Sequence, residues 1–245
     1  MFIKYGSEEH LQTLMEQGEM FFNPCKYFRE LEAEQLLKGI GDRNDGGIVT
    51  DDGKIVLQDR QGKFYFAEKQ SVAFIVPRCL DTPTFCIKQA EKPSITLQER
   101  ENLKVQFPNH THALIIEDEH SLLQNIAESF DGKAFSHRIY YENKFTLDFL
   151  NFLWKGKSDI CFDIPKSTPR YYAEMLMEPL DRSKQIIHFR VDDTNFYKTM
   201  FRKSVFFSNQ SEYRIVLPYE QITSGKKFRI HPLAATLCKI DDLVK

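Results

Sequence analysis

Phe2-Ile3-Lys4-Tyr5-Gly6-Ser7-Glu8-Glu9-His10-Leu11-Gln12-Thr13-Leu14-Met15-Glu16-Gln17-Gly18-Glu19-Met20-Phe21-Phe22 opens the chain and sets its fold class. Met1 to Tyr5 reads as a short strand. Ser7 can cap a helix N-terminus, with Glu8 and Glu9 favourably placed in the first turn. Leu11, Leu14 and Met15 fall at helical spacing, and Gly18 can close the helix at C′. Met20-Phe21-Phe22 resumes as a strand, stopped by Asn23-Pro24. The opening is therefore strand, helix, strand.

Downstream, Tyr27 to Lys38 is predicted helical, and Gly39 to Gly47 forms a polar glycine-rich loop. Short strands are predicted over Gly47–Thr50, Lys54–Gln58, Lys63–Ala67, Ser71–Pro77 and Pro83–Lys88. Residues 89–109 are polar and peripheral, with a short helix. Ala113–Ile116 is a strand, Glu117–Phe130 a helix with Leu122, Leu123, Ile126 and Ala127 inward, and Phe135–Tyr141 a strand. Phe145–Trp154 and Tyr171–Met177 are helix candidates, with a break at Thr168-Pro169. Ile186–Val191, Ser204–Phe207, Tyr213–Pro218 and Lys227–Ile230 read as strands, and Pro232 onward as a short tail. Helices and strands mix without a strict βαβ rhythm. The expected fold is α+β, a mixed, largely antiparallel sheet with several helices in one domain, 1–245.

Composition narrows the function classes. The 245 residues carry 42% hydrophobic and 28% charged side chains, a globular balance. Phenylalanine, 21 against one tryptophan, points to a core filled by rings. The net charge of −2 gives no global pull toward polyanions. A local basic set remains in Lys198, Arg202, Lys203, Arg214, Lys226, Lys227 and Arg229. The five cysteines, Cys25, Cys79, Cys86, Cys161 and Cys238, are widely spaced with no CxxC pair, as expected of reduced thiols in a cytoplasmic protein. No signal layout opens the chain, and no apolar run approaches the ~20 residues of a membrane span.

Most motif searches return nothing specific. The Gly39–Gly47 loop has Gly-x-Gly but neither a dinucleotide fingerprint nor a P-loop. Asp42-x-Asn44 is similar to a calcium loop, yet the twelfth position is Gly53 rather than Glu. Asp42 and Asp45 there could contact a ligand, or form a solvated turn. His110 and His112 share a strand face, but spacing supplies no third ligand, and no metal is predicted. Ser136, Ser183, Ser204 and Ser208 sit in no nucleophile elbow. Cys86 and Cys161 lie in apolar surroundings, as inert core thiols do. Tyr27, Phe28 and Arg29 can hold an anionic or planar ligand, or join the core.

The most informative chemistry is Gln210-Ser211-Glu212-Tyr213-Arg214. Strand alternation turns Gln210, Glu212 and Arg214 to one face, as a cleft lining or as a cross-strand polar ladder with a Glu–Arg pair. Together with Tyr27-Phe28-Arg29-Glu30-Leu31-Glu32 and Gly39-Ile40-Gly41-Asp42-Arg43-Asn44-Asp45-Gly46, this motif resembles an uncharacterised bacterial family. Its loop reads Gly-x-Gly-Asp-x-x-Glu-Gly, and its late strand carries Gln/Glu-x-Glu-aromatic-Arg. Asp45 stands at the expected Glu, and that family implies no settled activity.

The chain also resembles ADP-ribosyltransferases, through the opening strand-helix-strand and the late Gln210-x-Glu212. That resemblance implies NAD as substrate. Glu212 would stabilise the oxocarbenium-like ribosyl centre, and Gln210 would position a macromolecular acceptor, protein or nucleic acid. Lys4 and Tyr5 would stand on the first strand where the family offers Arg or His, with Tyr27, Arg29 and Arg214 completing the cofactor contacts. Phe135-Ser136-His137-Arg138 is the loose stand-in for its Ser-Thr-Ser strand. The setting implied is a bacterial toxin or phage-defence effector. Two other classes compete. One is a non-enzymatic module binding nucleic acid or protein through the C-terminal third, with Arg202 and Lys203 as contacts. The other is a metal-dependent nuclease using Asp42 and Asp45.

Overall fold

The computed structural model describes residues 1–35, 47–50, 55–58, 64–67, 72–75, 77–141, 187–189 and 196–245. Residues 39–46 of the glycine-rich loop, with Asp42 and Asp45, lie outside these, as do Cys161, Ser183 and the two helix candidates between 145 and 177.

The opening forms as expected, except that its second strand is not stopped at Asn23-Pro24 but runs through both, which pair Thr84 and Pro83. β1 (Phe2–Gly6) leads to α1 (Glu8–Gln17), where the Ser7 side chain accepts the His10 N–H and Glu8 and Glu9 fill the first turn. Gly18 ends α1 at φ 67°, donating its N–H to the Leu14 carbonyl, the left-handed closure that glycine adopts without penalty. β2 (Glu19–Pro24) follows, then α2 (Cys25–Gln35). Beyond these come β3 (Gly47–Thr50), β4 (Ile55–Gln58), β5 (Phe64–Ala67), β6 (Val72–Ile75), α3 (Pro77–Leu80), β7 (Pro83–Gln89), α4 (Leu97–Gln106), β8 (His112–Ile116) and α5 (Glu119–Ser129). α4 begins with a capping box between Thr96 and Glu99. The remaining described residues hold β9 (Phe135–Arg138), β10 (Tyr140–Tyr141), β11 (Ile187–Phe189), β12 (Arg202–Lys203), β13 (Glu212–Val216), β14 (Lys226–Arg229) and β15 (Thr236–Lys239). Among the described residues, 3-10 helices span Phe196–Phe201, Val205–Gln210 and Ile240–Leu243.

Among the described residues the main sheet has eight strands, ordered β14-β2-β7-β1-β8-β15, with β13 and β9 branching from β7. Every described pairing within it is antiparallel. The pairs β10–β12 and β11–β4, outside it, are parallel. The fold is therefore α+β with a mixed, largely antiparallel strand set.

β7 organises the sheet. One edge pairs β13 through five residues, from Glu212↔Lys88 to Val216↔Thr84. The other edge is shared: β1 takes Gln89 and Lys88, and β2 takes Thr84 and Pro83. β1 and β2 thus fork from β7. One sheet face carries Phe2, Phe22, Phe85, Ile87 and Ile215, packed with Leu11, Leu14, Leu122 and Ile126 of α1 and α5. Burying such side chains contributes about 1.5–3 kcal/mol each.

Two further expectations are corrected. Ser204–Phe207 is not a strand. The Ser204 side chain accepts the Phe206 N–H, Phe207 turns into the interior, and a 3-10 helix runs to Gln210 until Ser211 at φ 46°. The C-terminal tail is structured as well. β15 pairs β8, and the following 3-10 helix buries Ile240 and Leu243 against Ile3, Ala113 and Ile115 on the second sheet face.

Candidate active site

The second face carries the site. Register turns Cys86 and Lys88 of β7 and Glu212 and Arg214 of β13 to this side. An apolar patch flanks them at each end: Val216 with Tyr197, Met200 and Phe201, and Ile3 with Ala113, Ile115 and Leu243. A polar row thus crosses an otherwise apolar face.

Glu212 is 7% exposed and Arg214 fully buried. Arg214 Nε donates to Glu212 Oε1 at 2.8 Å, Nη2 lies 2.7 Å from the same oxygen, and Nη1 donates to the Met200 carbonyl. Lys203, on β12 and 4% exposed, donates from Nζ to Glu212 Oε2 at 2.5 Å and to Gln210 Oε1 at 3.1 Å. The Glu212 N–H donates to the Tyr141 hydroxyl at 2.7 Å. The Lys203 ammonium also stands 5.6 Å from the centre of the Phe207 ring.

Burial alone would raise the Glu212 carboxyl, but Arg214 and Lys203 outweigh it and hold the acid ionised, well below the usual carboxylate range. The same burial, with Glu212 beside it, pushes the Cys86 thiol up to about 12 and the Tyr141 phenol to about 12. Burial and the neighbouring Glu212 thus favour the protonated Cys86 thiol.

The structure brings Gln210 and Glu212 together, but not by strand alternation. Gln210 ends a 3-10 helix and Glu212 begins β13, and the two side chains converge on the ammonium of Lys203. Arg214 joins them directly. The other expected contacts do not. Lys4 lies on the opposite face, where its Nζ donates to the Cys86 carbonyl at 2.8 Å and sits 4.4 Å from the Phe85 ring centre. Burial lowers its pKa. Tyr5 points to the Glu212 face, with its buried hydroxyl lacking a hydrogen-bond partner, and burial raises its pKa. Tyr27, 40% exposed and edge-on to Phe28, and Arg29 belong to α2.

Arg202 and Lys203 are both 4% exposed, so they cannot present a basic surface to a partner, contrary to expectation. His110 stacks on Phe107 with centroids 4.7 Å apart, and burial lowers its pKa to about 4. His112 opens β8, with Thr111 on its Nδ1. Among the described residues no group of three His, Cys, Asp or Glu side chains is arranged to hold a metal. No helix among them is long and apolar enough to cross a membrane.

The sequence reading placed Lys203 in a basic binding surface rather than beside Glu212, and gave Tyr141 only a place in a strand. The available signal for Lys203 was a cation followed by an apolar, ring-rich run ending at Gln210. No known protein family, curated protein or solved structure matches this chain.

Proposed function

We propose that this chain is an ADP-ribosyltransferase-like protein that takes NAD as substrate at the point where Gln210 and Glu212 converge. One observation carries the reading: an amide oxygen and a carboxylate oxygen from Gln-x-Glu point at one positive centre, the Lys203 ammonium, at 3.1 and 2.5 Å. Positive charge is what develops when the nicotinamide glycosidic bond breaks. The C1′–N bond cleaves, its electron pair leaves with nicotinamide, and C1′ becomes oxocarbenium-like. An acceptor nucleophile then bonds C1′ and releases its proton. Glu212, held ionised, faces the developing charge, and Gln210 orients the incoming group. Lys203 holds this place in the structure and must swing aside for the ribose to enter. The acceptor is a macromolecule, protein or nucleic acid, and a bacterial toxin or phage-defence effector of the cytoplasm is the setting that fits.

A second reading is favoured by one specific observation. Both Glu212 oxygens are engaged and the side chain is 7% exposed, as in a buried network that specifies a fold. The chain would then be a non-enzymatic binding module.

Incubation of the purified chain with labelled NAD and cell extract separates the two. The enzyme reading expects label transfer or nicotinamide release that falls at least about 100-fold in a folded Glu212→Gln variant. No NAD turnover by wild type, or equal turnover by the variant, favours the binding module.

A further inference from the structure

The outer side of the β2–β14 ribbon carries a second site. β14 ends the main sheet, and its register sets Lys227 opposite Phe21 and Arg229 opposite Glu19. The inner side of this ribbon, Met20, Phe22 and Phe228, belongs to the core. Strand alternation therefore turns Phe21, Lys227 and Arg229 outward together.

Phe21 is 52% exposed, and its ring occupies a reserved place. A Cβ on Gly225 would sit 2.2 Å from the ring tip, so the ring lies over bare backbone where any side chain would displace it. Around it the chain is locally cationic. Thr223-Ser224-Gly225-Lys226-Lys227-Phe228-Arg229-Ile230-His231 holds three cations and no acid in a chain of net charge −2. Lys226, Lys227 and Arg229 are all exposed. Lys227 shares Glu19 at 3.4 Å, and Arg229 has no ion-pair partner among the described residues.

A fixed, half-open ring flanked by exposed cations matches the two needs of an unpaired nucleotide, a π-face for its base and positive charge for its phosphates. We propose that this face binds single-stranded nucleic acid, with Phe21 stacking one base and Lys227 and Arg229 contacting the flanking phosphates. The site lies away from β13 and holds whether or not Glu212 performs chemistry.

Fluorescence anisotropy of the full chain with labelled oligouridylate and oligothymidylate tests it, the two arms distinguishing RNA from DNA. Phe21→Ala should weaken binding about tenfold by loss of stacking. The exposed double variant Lys227→Gln/Arg229→Gln, which leaves the core untouched, should weaken it and flatten the slope of log K against log salt by about 1.4. Lys104→Gln, on α4, should bind as wild type does. Absence of binding to either strand would overturn the proposal. So would affinities unchanged by both the Phe21 and the double variants, or equal competition by polyglutamate, which would mark an acidic protein partner instead.

Discussion

Glu212 sits among charges that hold it and that it holds in turn. Burying a carboxylate is costly, and the cost is offset only because Arg214 and Lys203 both reach it. Removing the acid takes away the carboxylate that Arg214 and Lys203, both buried, share. Glu212→Gln is therefore expected to destabilise the fold by about 3 kcal/mol at neutral pH. The folded-state pKa of Glu212 is depressed, so its contribution is complete above the ordinary carboxylate value of ~4.3 and is lost as pH falls from there toward the folded-state value. Urea denaturation of both proteins across pH should show a constant gap near neutrality that closes below about pH 4.3. A gap that widens in acid would mean that Arg214 and Lys203 do not set the ionisation of Glu212. Strand spacing set Glu212 and Arg214 on one face, whereas Gln210 reaches them from the end of a 3-10 helix. Lys203 and Tyr141 were not legible beside them, because each arrives from another strand, and a lysine reads in sequence as a solvated charge.

At the scale of elements, the most legible pieces are those with local chemical signals. Ser7 and Gly18 bracket α1 by capping and by a left-handed φ, and the structure keeps both. Gly18 has a second role. A Cβ there would lie 2.0 Å from the Ile230 carbonyl oxygen, and Ile230 donates its N–H to the Gly18 carbonyl, tying the end of β14 to the α1–β2 turn. Gly18→Ala is expected to cost more than about 1 kcal/mol by conformation alone, with the backbone clash added. Thermal unfolding checks this, and an unchanged midpoint would refute the close approach. The elements that escaped sequence reading lack such signals. Val205-Phe206-Phe207 has the composition of a strand, but the Ser204 cap and the burial of Phe207 wind it into a 3-10 turn, with Phe206 left 57% exposed. Thr236–Lys239 is short and half-exposed, so its alternation is faint. Its place on the β8 edge comes from Ile240 and Leu243 docking beyond it.

For the molecule as a whole, the α+β class followed from the mixed order of elements, while the fork of β1 and β2 from β7 did not. That fork depends on which strands meet over large separations, Phe2 with Gln89 and Asn23 with Thr84, and no local pattern encodes it. Its consequence falls on the candidate site. β7 and β13 become central to the sheet, and their second face gathers Cys86, Lys88, Glu212 and Arg214 between two apolar patches. Two 3-10 helices and β12 then bring Met200, Gln210 and Lys203 onto that row. The NAD proposal stands on the ammonium of Lys203 holding the place of a cationic ribosyl centre. Single-turnover nicotinamide release from NAD by Lys203→Met, compared with wild type and with Lys203→Met/Glu212→Gln, tests it most directly. Lys203→Met should stay folded through the remaining Arg214–Glu212 pair and release nicotinamide faster than wild type, with the double variant inactive. A folded Lys203→Met protein that leaves NAD intact, or a double variant as fast as the single one, would contradict the claim.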